Sequence, residues 1–420
     1  MSADSAPAEG PHQGPAANPL GHGPILLLTN ARLTDGRLVD VRIGGDRIQA
    51  VGAAGSLGPL PALPGRPTVT TGARIDLAGY LLLPAPAEPH GHYDTAFAAA
   101  LPGPPTEDPA DLVRRVTEAA LTSLGYGATA QRTHVRIGDA HGLVRLEAVL
   151  MARQALRGLA ELQAVAMPRL LTGRAGADGR AQLREALKLG ATAAGGCPDL
   201  DPDPVGYAQI LLAAAREADC PVDLHTAGRD TAQLARIAGV LAPLRPRVTV
   251  GPCSALPPGG VSVLATAGVR VVCLPQNGGC TGLEGPPTGL RPSLARELTD
   301  ARVPLAVGSG SVRDLANPVG RADPLEAAYL LAATGTLSPE AAYDAISGQA
   351  RLTLGLPAVR VDAGFPAELL AIRGDSLTGA LAGGHSRLVV HSGRVVSRTS
   401  AVREFADTIA LALPRQNSPG

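Results

Sequence analysis

Leu81-Leu82-Leu83-Pro84, followed by Glu88-Pro89-His90-Gly91-His92-Tyr93-Asp94, is the stretch that decides the fold. Three consecutive leucines stopped by a proline predict a short strand buried on both faces, the pattern of a parallel sheet covered by helices. In extended chain, residues two apart project to the same side, so His90 and His92 can reach one ion. Barrels of parallel strands keep their chemistry at the C-terminal ends of the strands. Residues 81–83 are therefore expected to be the first strand of such a barrel, with the two histidines just beyond its end.

Working outward, a short apolar run, a loop and an Ala/Leu/Arg-rich amphipathic segment alternate from Pro84 to about Arg351. With 81–83 first, the candidate strands are 129–135, 162–167, 192–195, 222–225, 247–250, 270–274 and 304–307. Helical periodicity covers 109–124, 143–156, 181–189 and 207–217. Such an alternation over roughly 250 residues predicts a (β/α)8 TIM barrel. On the N-terminal side, 25–29, 37–43, 47–51 and 73–76 are short strands separated by turn pairs such as Asp35-Gly36 and Gly44-Gly45. Strands return at 368–372, 387–391 and 394–397. The expected architecture is α/β, a TIM barrel over 84–351 inserted in a small β-sandwich domain made of 24–83 and 352–400. The Pro/Ala/Gly/Ser-rich stretch 1–23 reads as a disordered tail, and 401–420 as a C-terminal tail.

Composition narrows the function. Among 420 residues, 37 Lys and Arg balance 37 Asp and Glu, so no field of one sign points to nucleic acid or an anionic membrane. With no Trp and 2% aromatic residues, the core must be packed from Leu, Val and Ala. Five cysteines, an odd number without a CxxC pair, read as reduced thiols. No apolar run spans a bilayer and no secretory leader opens the chain, so the expected location is cytoplasmic.

With these motifs in place, the sequence resembles the amidohydrolase superfamily, and within it the cytosine deaminase branch, from about Ile25 to Arg398. The resemblance rests on Thr29-Asn30-Ala31-Arg32-Leu33, the segment from Glu88 to Asp94, and Arg132-Thr133-His134-Val135. It also rests on 162–168, Val222-Asp223-Leu224-His225, Val312-Arg313-Asp314 with Asn317-Pro318-Val319-Gly320, and 361–369. It implies hydrolysis of non-peptide C–N bonds in cyclic amidines or amides around a single divalent metal, Zn or Fe. In the family the metal is held by the His-x-His pair, a His ending strand five and an Asp ending strand eight. Here His90, His92 and His225 match the three imidazoles. The metal acidifies a bound water, and a carboxylate moves protons between water and leaving group. His134 and Arg169 fall at positions suited to substrate binding; the resemblance also allows a homo-oligomer.

The departures cluster at the chemistry. The family's proton-shuttling Glu, three residues after the strand-five His, is Gly228. Its strand-six His is Pro252, its strand-eight Asp is Gly310, and its substrate-reading Gln is Arg169. No His lies between His225 and His385, and the acids nearest strand eight, Asp300 and Asp314, fall before and beyond it. Asp314 reads as an organiser of that loop. Cys253 is a candidate soft replacement ligand, and Lys188 lies in the helix before strand four rather than on it, which argues against a binuclear, Lys-bridged site. Two readings stay open. One is a pseudoenzyme that keeps the barrel for a small-molecule ligand, with or without metal; missing carboxylates weigh towards it. The other is a divergent three-His hydrolase whose substrate is anionic and met by Arg169.

Overall fold

The computed structural model describes residues 25–63, 66–70, 72–100, 106–138, 142–276 and 293–402. The expected tail at 1–23, and that at 401–420 beyond Val402, lie outside the described residues.

The chain opens with β1 (Ile25–Arg32), β2 (Leu38–Gly44), β3 (Arg47–Ala53), β4 (Ala62–Leu63), β5 (Arg66–Thr70), β6 (Gly72–Asp76) and β7 (Tyr80–Pro84). Eight strand–helix units follow. The strands are β8 (Ala87–Gly91), β9 (Ala130–Ile137), β10 (Glu161–Pro168), β11 (Ala193–Gly196), β12 (Val222–Thr226), β13 (Val248–Pro252), β14 (Arg270–Cys273) and β15 (Leu305–Val307). Each is followed by its helix: α1 (Pro109–Gly125), α2 (Val144–Ala155), α3 (Ala177–Leu189), α4 (Pro204–Glu217), α5 (Thr231–Leu241), α6 (Gly260–Ala267), α7 (Leu294–Asp300) and α8 (Pro324–Ala333). After α9 (Pro339–Ile346) and α10 (Gly348–Thr353) come β16 (Leu369–Arg373), α11 (Leu377–Gly383), β17 (Arg387–His391) and β18 (Arg394–Thr399).

β8 to β15 pair in parallel and in sequence order. A bridge between Gly91 and Gly310 brings the last strand back to the first, and the His92 N–H donates to the Gly310 carbonyl at 3.0 Å. The (β/α)8 expectation is borne out. Local chemistry explains where helices begin: Asp108, Asp203, Asp230 and Asp323 each accept a backbone N–H in the first turn, three of them ahead of a proline. Outward-facing Val135, Leu162, Val222, Leu224, Val250 and Val271 share one core with the helices.

The flanking strands form one mixed sheet in the order β18-β17-β16-β7-β1-β2-β3, with β6 also on β1. Val41, Ile43, Leu369 and Val390, from both arms of that sheet, share one core, so the N- and C-terminal segments build a β unit with a core of its own. The strand 81–83 needs correction. It lies in β7, pairs with β16 (Leu82 opposite Ala371), and belongs to this sheet, not to the barrel. The first barrel strand is β8 and contains His90. Buriedness misled the assignment: Leu82 packs into the small domain, while Leu81 and Leu83 pack into the barrel's helical layer. A strand between two cores has the same apolar run as a barrel strand.

Candidate metal centre

In the parallel barrel, alternate residues of each strand point inward. On β12, Val222 and Leu224 face the helices, which turns Asp223 and His225 to the interior. On β9, Val135 and Ile137 face the helices, so Arg132, His134 and Arg136 point inward. β8 is irregular in its pairing with β9 between Glu88 and Gly91 and delivers His90 and His92. His90, His134 and His225 are fully buried, and His92 nearly so.

The structure brings His90, His92 and His225 together. Ring centroids lie 5.2 Å apart for His90–His92, 5.0 Å for His90–His225 and 5.4 Å for His92–His225. One ligand atom from each lies within 4.8 Å of the others. Burial, and then the neighbouring imidazoles, push His90 and His92 well below the usual histidine range, so both rings are neutral, the form that ligates a metal. Both ring nitrogens of His90, and Nε2 of His92, are buried with no hydrogen-bond partner among the described residues. A buried polar atom left unpaired costs about 1–3 kcal/mol. The donor set of three imidazoles fits a Zn²⁺ or Fe²⁺ ion.

Below them sits a second polar layer. The Asp223 carboxylate accepts from the Arg132 guanidinium at 2.9 Å, and its other oxygen lies 3.3 Å from Nε2 of His134. Arg132 gives two further N–H bonds to Oε1 of Gln163 (3.1 and 2.9 Å), whose amide donates to the Leu354 carbonyl at 3.0 Å. Burial raises Asp223, but His134 and Arg132 outweigh it and hold its carboxyl below the usual range. Alternation was a signal available in sequence beside the resemblance: Asp223 and His225, Arg132, His134 and Arg136, and Glu88 and His90 each sit two apart on buried strands.

Glu88 is buried too. Its carboxylate accepts from the N–H groups of His90 (3.0 Å) and Ser309 (2.8 Å) and from the Ser309 hydroxyl. Burial outweighs these donors and lifts its carboxyl to about 7. It spans from β8 to the end of β15, where a Cβ on Gly308 would come within 2.4 Å of Glu88 Oε1. Gly310 and Gly228, the positions of the expected Asp and Glu, have left-handed backbones (φ 76° and 74°), conformations that L side chains rarely adopt. A Cβ on Gly228 would also meet Leu256 Cδ1 at 3.1 Å.

Of the remaining sequence candidates, His134 joins the cluster, its ring 3.8 Å from that of His90. Arg169 is exposed just past β10 and makes no hydrogen bond or ion pair among the described residues. Arg136 is half-buried at the end of β9, its buried Nε has no partner, and its charge helps to depress His92. Pro252 ends β13; Cys253 is buried, but no cysteine joins a potential cation group among the described residues. Asp314 organises its loop: Oδ1 accepts from the N–H groups of Ala316 and Asn317, both at 2.9 Å. Cys197, Cys220, Cys253 and Cys273 form no disulfide among the described residues, whereas Cys280 lies outside them. No helix among the described residues is long and apolar enough to cross a membrane.

No family model matches the chain. A pterin deaminase from Rhizobium rhizogenes is 26% identical over 383 residues, covering 80% of this chain and 85% of that protein. Among solved structures, N-isopropylammelide isopropylaminohydrolase from Burkholderia multivorans superposes with a TM-score of 0.73 at 27% identity, over 89% of this chain and 98% of its own. The 5-methylcytosine deaminase from Klebsiella pneumoniae gives a TM-score of 0.74 at 20% identity, over 90% and 100%.

Proposed function

We propose that this chain is an amidohydrolase-superfamily protein that keeps the superfamily's cation centre at His90, His92 and His225 but has lost deamination of cytosine-like rings; its fold and its similarity to the relatives support the reading. The relatives are named for acting on a pterin, an isopropylammelide and a methylcytosine, all nitrogen heterocycles. A small molecule of that class is the ligand we expect the barrel to hold. The observation that carries the reading is a contrast inside one site: three imidazoles converge, while Gly228 and Gly310 have backbones shaped for glycine. A divalent ion bound there supplies Lewis-acid chemistry and acidified water. His90, His92 and His225 would hold it, and the buried walls keep their nitrogens from bulk water. Nothing at residue 228 can take the proton from water and pass it to a leaving amine, a step worth roughly 10²–10⁴ in rate.

Metal analysis of the purified protein tests the first half: cation should be present and should fall on His225→Ala. A screen of cytosines, pterins and cyclic amides tests the second. Binding without turnover is expected, and turnover that disappears on His90→Ala would overturn the loss of chemistry.

Arg136 favours a second reading, a divergent hydrolase for an anionic substrate. The sequence offered Arg169 for that anion, but Arg136 stands nearer His92 and has an unspent donor. Under this reading a carboxylated heterocycle is turned over, and Arg136→Ala raises KM without changing metal content.

A further inference from the structure

One ion at the three-imidazole site leaves part of the buried polar surplus unanswered. An ion takes one nitrogen from each ring, yet both nitrogens of His90 are unpaired. Both nitrogens of His134 and Oδ1 of Asp223 also lack a hydrogen bond, although His134 Nε2 and Asp223 Oδ1 are only 3.3 Å apart. Two complementary groups that close and that deeply buried, whose contact lacks hydrogen-bond geometry, are arranged as ligands of a common third atom are arranged: side by side and facing the same space. One ligand atom each from His90, His134 and Asp223 lies within 4.8 Å of the others, and all three residues have no solvent exposure.

We propose that His90, His134 and Asp223 form a second divalent-cation site on the strand-two side of the barrel, with the His90 ring bridging the two ions. The donor set is two imidazoles and one carboxylate, a combination suited to Zn²⁺ or Fe²⁺. It supplies the carboxylate ligand that Gly310 cannot. Bridging uses both nitrogens of His90, so its single ring proton leaves to solvent as the second ion binds; no electron is transferred. Arg132 is the opposing charge. It is held on the far oxygen of Asp223 at 2.9 Å and by Gln163, so the carboxylate stands between guanidinium and cation. The site shares His90 with the three-imidazole centre but needs neither His92 nor His225.

The test is titration of the metal-stripped full chain with Co²⁺, followed by its visible spectrum and by elemental analysis. The wild type should take up about two equivalents. His134→Ala and His225→Ala should each keep about one, with different spectra: an all-imidazole set remains in the first and a mixed imidazole–carboxylate set in the second. Asp223→Asn, a smaller change, should repeat the His134→Ala result, and thermal melts identify any variant that fails to fold. Saturation at one equivalent with His134→Ala and Asp223→Asn unchanged overturns the second site and leaves the three-imidazole centre standing. Two equivalents that survive both substitutions also overturn it, because the second ion then lies elsewhere. No uptake by the wild type overturns both sites.

Discussion

The barrel is divided against itself. β8, β9 and β12 project four imidazoles, a carboxylate and two guanidinium groups into the interior. The ends of β13 and β15 present Pro252, Gly308 and Gly310. The poor side is not a gap awaiting side chains. At β15 the backbone comes close enough to bridge Gly91 and to donate to Glu88, and a Cβ at Gly308 would strike that carboxylate. The two walls can thus differ in what they carry, because each wall is held by its own neighbours. The imidazoles rest on Asp223 and Arg132, whereas Glu88 fixes the glycine-lined corner.

Substituting the deepest support of the rich side should have the largest effect. Arg132→Ala leaves Asp223 buried without its guanidinium, and should cost about 3–5 kcal/mol in denaturant unfolding. A loss below about 1 kcal/mol would mean that the polar layer is ornamental to the fold.

The next effect concerns the clamp between the two sides. Glu88 has a folded pKa of about 7 against 4.5 for the free group. Stability from its bound proton is complete below about 4.5 and is lost as pH rises through about 7. Metal-free wild type should therefore lose about 2.5 kcal/mol between pH 5 and 8 relative to Glu88→Gln. Parallel pH profiles for the two proteins would show that the carboxylate is ionised throughout.

The smallest effect sharpens the comparison from the poor side. Gly228→Glu puts a carboxylate at this position but forces a left-handed glutamate, at about 1–3 kcal/mol. It should give no deamination of cytosine. Turnover gained by the variant would show that one substitution suffices to equip this wall.

Much of the scaffold was readable because it depends on local chemistry. Seven of the eight barrel strands lie where the apolar runs predicted, and Asp-Pro pairs mark three of the helix starts. The failure at 81–83 is equally physical, since an apolar run records burial but not the sheet that buries it. The same limit governs the site. His90 and His92 announce themselves by adjacency, and His225 came through resemblance. Asp223, Arg132 and Arg136 did not stand out, because a charged residue in a buried strand becomes meaningful only when its partner on another strand is known.

The sequence by itself determined the alternation of strands and helices, the three imidazoles, and the absence of reactive side chains at 228, 252 and 310, since residue identity and short-range periodicity suffice for these. Only the tertiary structure decided which sheet owns Leu81, Leu82 and Leu83, that His134 and Asp223 stand beside His90, and that the glycines occupy closely approached or left-handed backbone. These depend on contacts between strands distant in the chain, 91 residues for Arg132 and Asp223 and 221 for Glu88 and Ser309, which residue identity and short-range periodicity do not record.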